Sequence, residues 1–348
     1  MTAVAVAGRM WRMWRLRFRT RGPLAGLLLL AALGCVAVYA LGTGDFGLTP
    51  REVIDTLNGA GPPGAQFVVL ELRLPRLLVG CAVGAALGMA GAVFQTLTRN
   101  PLGSPDVVGF TVGSASGGIL VILVFGGSTL TIATGAVGGG LATALAVYLL
   151  AMRGTGAAQG TQLILVGIGM SAMLEALNAY LLSRASVNAA QSASAWLVGS
   201  LNARGWEHFV PLTAALLPLG LLLVLLVDDL RIMELGDDTA RALGVRVRRA
   251  RLAVMAVAVG LTAVATATAG PVAFIALTAP PLARFLTRSP GPNVLASALA
   301  GALLLTVSDL LAQRVLAPTI LPVGVMTGAV GGVYLCFLLF RRSRVTSY

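Results

Sequence analysis

The stretch DDLRIMELGDDTARALGVRVRRAR, residues Asp228–Arg251, decides how the whole chain is read. It is the one dense island of charge in an apolar sequence, with five acids and six arginines. Apolar runs long enough to cross a bilayer flank it, Phe209–Val227 and Leu252–Ala269. The island therefore belongs in water and its flanks in lipid. Asp237 and Asp238, then Arg241, then Gly244 as a stop predict a short helix in its middle. Leu235, Thr239 and the pair Ala242 and Leu243 share one side of it. A helix of two turns does not hold in water unaided. Two readings follow: a solvated loop that merely satisfies the positive-inside rule, or a docking element for a soluble partner.

Composition agrees with a membrane setting. Of 348 residues, 57% are hydrophobic and 11% charged, and the mean hydropathy is +0.89; soluble domains carry about 25% charge. The long apolar runs are interrupted by glycine rather than alternating, which predicts helices and excludes a barrel. Many of the 43 glycines fall in small-xxx-small patterns, such as Gly80–Gly84–Gly88 and Gly84–Gly88–Ala92, which allow close helix packing in lipid. The net charge of +12 comes from arginine alone, and these arginines flank apolar runs, so a membrane surface explains them better than nucleic acid. With no lysine in the chain, a P-loop ATP site is excluded. Cys35, Cys81 and Cys336 lie inside apolar runs without metal-ligand spacing and read as small buried hydrophobes. His208, the only histidine, reads as interfacial.

Outward from the island, ten apolar runs are expected to span: Pro23–Leu41, Val69–Leu97, Val107–Phe125, Thr129–Ala151, Thr161–Leu182, Phe209–Val227, Leu252–Ala269, Val272–Phe285, Asn293–Leu316 and Val323–Phe340. Residues 1–22, with six arginines among Trp11, Trp14 and Phe18, read as a basic interfacial arm. The run behind it is long and lacks a small-x-small site, so it reads as an anchored span rather than a cleaved leader. Residues 23–340 are expected to form a single ten-span domain with 228–251 as its charged loop, and 341–348 a short tail. Pro50–Leu57 is expected to be a surface helix, and the Ser183–Glu207 loop, with Trp196 and Trp206, to carry an interfacial one. Asn100-Pro101 and Ser104-Pro105 predict a turn, and Gly270-Pro271 a helix break. Ten spans put both termini on one side. With that side cytoplasmic, nineteen arginines lie inside and six outside, so the island faces the cytoplasm.

No catalytic pair, metal cluster or paired carboxylates stand out. Glu175, with Asn178 nearby, and Asp309 lie inside expected spans, either as interhelical hydrogen-bond formers or as pathway residues. Arg73 and Arg76 flank Pro75 at the outer mouth of the second span, where the proline is expected to break the helix; they snorkel or meet a partner.

LRLPR (Leu72–Arg76), GAALGMAGAVFQTLTRNPLGSPDVVGF (Gly84–Phe110), WLVGSLNARGW (Trp196–Trp206), LGDDTARALGV (Leu235–Val245), AGPVAFIALTAPPLAR (Ala269–Arg284) and LPVGV (Leu321–Val325) together resemble one family, the permease subunits of type II ATP-binding-cassette importers for siderophores, haem and vitamin B12. The resemblance runs in order from about residue 24 onward. It is strongest to the ferric-enterobactin branch, through RNPLGSPDVVGF, MELGDDTARALGV and GGVYL (Gly331–Leu335). The chain departs from the common pattern at Pro280-Pro281, where many members have Pro-His, at Ile320, where many have glutamate, and at Gln313, where many have the arginine that here comes one later, at Arg314.

The resemblance implies an all-α protein of ten spans, with a second permease subunit, two cytoplasmic ATPase subunits that hold ATP and magnesium, and an extracytoplasmic binding protein. In enterobactin-like systems the second permease is usually a different, homologous chain. This chain would bind no cofactor itself and be no enzyme. It would move a ferric siderophore, a catecholate by branch, by alternating access. The resemblance places Leu235, Gly236, Asp237, Asp238, Ala240, Arg241, Leu243 and Gly244 in ATPase coupling, with Ala240 and Leu243 expected to face the ATPase. It places Arg73 and Arg76, with Arg314, at the binding protein. Asn100 and Leu102, and Gly160 and Thr161, are expected at an inner gate. Gly167, Gly169, Ser171, Glu175 and Asn178 are expected along the path. The competing class is a secondary transporter or channel that uses Glu175 and Asp309.

Overall fold

The computed structural model describes residues 22–44, 46–151, 159–317 and 319–343, without the side chains of 159–161, 335 and 337–343. The expected basic arm, the loop with Arg153 and the last tail residues lie outside this set. All regular structure among the described residues is helical.

Fourteen α-helices follow in order. Helix α1 is Gly22–Gly42, α2 Pro50–Leu57, α3 Leu74–Thr98, α4 Phe110–Leu120 and α5 Thr129–Ala151. Helix α6 is Gln159–Arg184, α7 Val187–Leu197, α8 Trp206–Leu225, α9 Val227–Met233 and α10 Asp237–Ala242. The last four are α11 Val247–Ala269, α12 Ile275–Thr287, α13 Val294–Arg314 and α14 Val323–Ser343. Two π-helical segments, Phe67–Arg73 and Val121–Phe125, lead into α3 and out of α4.

Each of the ten expected apolar runs contains a helix, and seven helices are long and apolar enough to cross a membrane. Phe110–Phe125 and Val323–Tyr334 are apolar but shorter, and α12 has 13 residues. The chain is a polytopic helical membrane protein.

Local chemistry explains where several helices begin. Thr49 and Glu52 form a reciprocal capping box at α2, the Thr49 side chain accepting from the Glu52 N–H while Glu52 accepts from the Thr49 N–H at 2.8 Å. Pro50 stands at the first helical position, where no N–H is needed. Asn100-Pro101 ends α3 with Arg99 left-handed at φ 50°, and Gly109, at φ 87°, starts α4. The third expected span thus starts at Phe110 rather than Val107, because the two X-Pro pairs keep 101–109 out of helix.

Two boundaries differ in ways that matter for the site. The helix is not broken at Pro75. The π-helical segment runs directly into α3, and the Leu74 N–H reaches back to the Val69 carbonyl, so the wider turn absorbs the missing donor. The seventh span begins at Val247, inside the charged island, so Arg248, Arg249 and Arg251 ride on the first turns of α11.

Packing sorts the helices into a centre and a rim. Within their most apolar windows, 83% of the α3 segment and 67% of α11 are buried, against 17% for each of α1, α6 and α8. Helix α3 packs on α13, α11, α12, α8 and α6, and its largest interface is with α13. Glycine sets that distance. A side chain at Gly84 would meet the Gly301 backbone, one at Gly88 the Ser297 carbonyl, and one at Gly91 the Ala276 carbonyl. Lipid tails are as apolar as leucine, so association here comes from this close backbone packing. Phe94 and Phe110, ring centroids 5.3 Å apart, fill the core where α3 meets α4.

Candidate functional site

Helices α9 and α10 form the water-facing end of the bundle, as the charge of the island requires. Within α10 only Ala240 is buried. Leu235 and Leu243 are 65% and 60% exposed, with Thr239 and Ala242 exposed beside them. This free side is the one the sequence pattern assigned. The exception is Ala240, which was expected to face outward. It is fully buried, because it packs inward as the only apolar anchor of a six-residue helix. Gly236 and Gly244 bracket α10 with φ of 111° and 90°, and Gly244 has open space around its α-carbon. Glycine is needed at Gly244 for its backbone, not for room.

The island is fastened to the bundle by charge. Arg251 donates to both carboxylate oxygens of Asp237 at 2.8 and 2.9 Å. Arg99 reaches Asp237 at 3.5 Å and the Met233 carbonyl at 3.1 Å. Asp238, fully exposed, pairs with Arg241 on its own helix. Thr96 donates to Glu234 at 3.4 Å, and burial pushes the Glu234 carboxyl above its ordinary value. Arg284 donates to Gln95, whose amide donates to the Leu277 carbonyl at 3.0 Å. Gln95 and Thr96 are buried polar residues of α3 that the sequence reading missed; an isolated Gln or Thr in an apolar run gives no signal of its partner.

At the opposite end of α3, Arg76 and Asp309 form a bidentate ion pair with α13, at 3.0 and 2.7 Å. Gln313 donates to the same carboxylate at 2.8 Å. The pair is 17% and 10% exposed, so Arg76 is not a free rim charge, contrary to expectation. Arg73 donates to the carbonyls of Leu41 and Phe46. A cavity of about 30 Å³ lies beside Arg73, Arg76, Asp309 and Gln313, room for about one water. Arg314 is exposed.

The expected path residues divide. Gly167 packs against Val108, Ser171 donates to the Gly167 carbonyl beside Gly109, and Asn178 is buried. These three lie on the packed side of α6, Gly167 and Asn178 buried and Ser171 half-buried. Gly169 and Glu175 lie on the exposed side. Gly160 and Thr161, expected at a loop end, belong to the first turn of α6. Asn100 accepts from the Leu102 N–H at 2.9 Å in a tight turn that leaves Leu102 exposed.

Three loops with family-like motifs converge elsewhere. Ser200 donates to the Ala269 carbonyl at 2.8 Å and Gly324 to the Gly199 carbonyl at 3.2 Å. Cys35 and Cys336, expected to be buried, are exposed on this chain, and Cys81 is half-buried against Thr306.

The described residues form an all-helical bundle with long apolar helices and a charged, helix-bearing loop at one end, the architecture of a polytopic membrane protein. The chain belongs to the FecCD transport family, whose model matches residues 28–341. It is 46% identical to the ferric enterobactin transport system permease protein FepG of Escherichia coli over 318 residues, 91% of this chain and 96% of that one. It is 37% identical to the achromobactin transport system permease protein CbrC of Dickeya dadantii, over 96% and 95% of the two chains. A solved metal-chelate type ABC transporter in an inward-facing conformation matches with a TM-score of 0.83 at 28% identity, covering 92% of this chain and 99% of that one. The chain is an ABC importer permease, in the plasma membrane.

Proposed function

We propose that this chain is one of two permease subunits that carry a ferric catecholate siderophore into the cytoplasm by alternating access, driven by ATP and magnesium in two partner ATPases. The observation that carries the reading is the 46% identity to the ferric enterobactin permease over nearly the full length of both chains. In this reading all ten apolar helices cross the membrane, both termini are cytoplasmic, and the exposed side of α10, led by Leu235 and Leu243, seats on an ATPase. The second permease is a different, homologous chain, and a binding protein delivers the chelate from outside.

The ion pair narrows the outer contact. Arg76 is neutralised by Asp309, so Arg314 becomes the leading docking charge, with Arg73 secondary. Rim charges of this kind set encounter rate and salt dependence. The inner gate is placed at Leu102 and at the start of α6 around Gly160 and Thr161, and the exposed side of α6, with Gly169 and Glu175, faces the path. A secondary transporter would draw on Glu175 and Asp309. Of these two, Asp309 is held by Arg76 and Gln313, which favours the importer.

The test is uptake in cells that lack their own permease but retain compatible partner subunits. Labelled ferric catecholate, ferric hydroxamate, haem and cobalamin are offered in turn. Catecholate uptake that stops on ATP depletion is the expected result. Uptake of cobalamin alone, or uptake that follows an ion gradient without ATP, contradicts the reading.

A further inference from the structure

We propose that the Asp237 carboxylate is an internal clamp that ties α10 to both α11 and the end of α3, so that α10 moves the buried helix α3 with it. The inference rests on the reading that an ATPase seats on α10, and deepens it by assigning how that motion enters the bundle. Of the two adjacent acids, only Asp238 stands on the free side. Asp237 is 26% exposed and turned inward, both its oxygens accept from one nitrogen of Arg251, itself 20% exposed, and Arg99, 51% exposed, stands 3.5 Å away as the weaker second contact.

A six-residue helix cannot hold its own shape, and its single buried residue, Ala240, gives an apolar contact that can slide. Both Asp237 oxygens accept from one guanidinium nitrogen of Arg251, a charge-assisted contact shorter and stronger than a neutral hydrogen bond, which resists sliding where the apolar contact does not. Arg251 anchors the carboxylate to the first turns of α11. Arg99 stands immediately after α3 and also holds the Met233 carbonyl at the end of α9. Three residues earlier, Thr96 bonds Glu234, and next to it Gln95 bridges Arg284 and the Leu277 carbonyl of α12. The last turn of α3 is thus joined to the island on one side and to α12 on the other. Because α3 is buried along most of its length, it responds to a pull at this end as one piece rather than by local bending. Asp237 is a positioning residue: it keeps α10 in register with α3 and need not touch the ATPase.

The test uses the full transporter in lipid vesicles with Asp237→Asn, Asp237→Glu and Arg251→Gln. Three quantities are read: ATPase subunits retained on purification, chelate transported per ATP hydrolysed, and the distance between spin labels at Leu243 and Leu102. The expected result for Asp237→Asn and Arg251→Gln is an intact complex whose transport per ATP falls several-fold and whose label distance broadens. Asp237→Glu should recover part of both. Loss of the ATPase subunits in Asp237→Asn would make the carboxylate a partner contact and overturn the clamp, as would unchanged transport per ATP with an unchanged distance. A wild-type chain that retains no ATPase would instead contradict the importer reading itself.

Discussion

Residue by residue, the charges inside the bundle divide into those that hold it and those left free. Arg76 and Asp309 belong to the first group. Removing one partner of a largely buried pair leaves the other uncompensated and costs about 3 kcal/mol, whereas replacing both with apolar groups of similar volume is close to neutral. Asp309→Asn and Arg76→Met should each lower thermal stability, and the double variant Arg76→Met/Asp309→Leu should recover much of the loss. Additive losses in the double variant would mean that the two side chains do not act as a pair. The pair was not legible in the sequence. Both residues were noticed, but they lie 233 positions apart, and nothing local in either segment names the other as its partner. Ala240 shows a related limit: the pattern of α10 grouped Leu235, Thr239, Ala242 and Leu243 and left Ala240 out, while the expectation drawn from the resemblance turned it outward, and it is buried.

Among the elements, α3 is the axis. Its glycines let α13 and α12 approach to backbone contact. Gly84→Leu should force α3 and α13 apart, costing about 1–3 kcal/mol or more, since its first carbon already meets backbone rather than a yielding side chain. The check is thermal unfolding of the purified chain in detergent; an unchanged midpoint would mean the two helices do not meet at Gly84. Helix positions were largely legible. Pro50–Leu57 was expected as a surface helix and is α2, and the apolar run Thr129–Ala151 gave α5 at both ends. Helix rotation was not. A helix apolar on every side carries no moment to say which side packs, so Gly167, Ser171 and Asn178 were expected on the path and are found on the packed side of α6. The π-helical run through Pro75 was hidden for a related reason: proline signals a break only where no wider turn can absorb its missing donor.

At the scale of the whole molecule, the arrangement is a tightly packed α3–α11–α13 centre, a rim of helices with free apolar sides, and one charged end that carries a short exposed helix. The free rim suits lipid and a second permease chain. The charged end has no nucleotide loop and presents Leu235 and Leu243 to the water, so the account turns on whether that helix receives the force of ATP hydrolysis elsewhere. Gly244 offers the sharpest handle. Its φ of 90° lies where a side chain costs about 1–2 kcal/mol, while the space around it is open, so Gly244→Val disturbs the end of α10 without crowding the bundle. The measurement is ATPase retention and substrate-stimulated ATP hydrolysis in the purified transporter, comparing the unchanged chain with Gly244→Val and Leu243→Glu. Retention and stimulation by the unchanged chain, with loss of stimulation in both variants while the permease still inserts in the membrane, is the predicted result. Full stimulation in both variants would contradict the claim that α10 is where the ATPase acts.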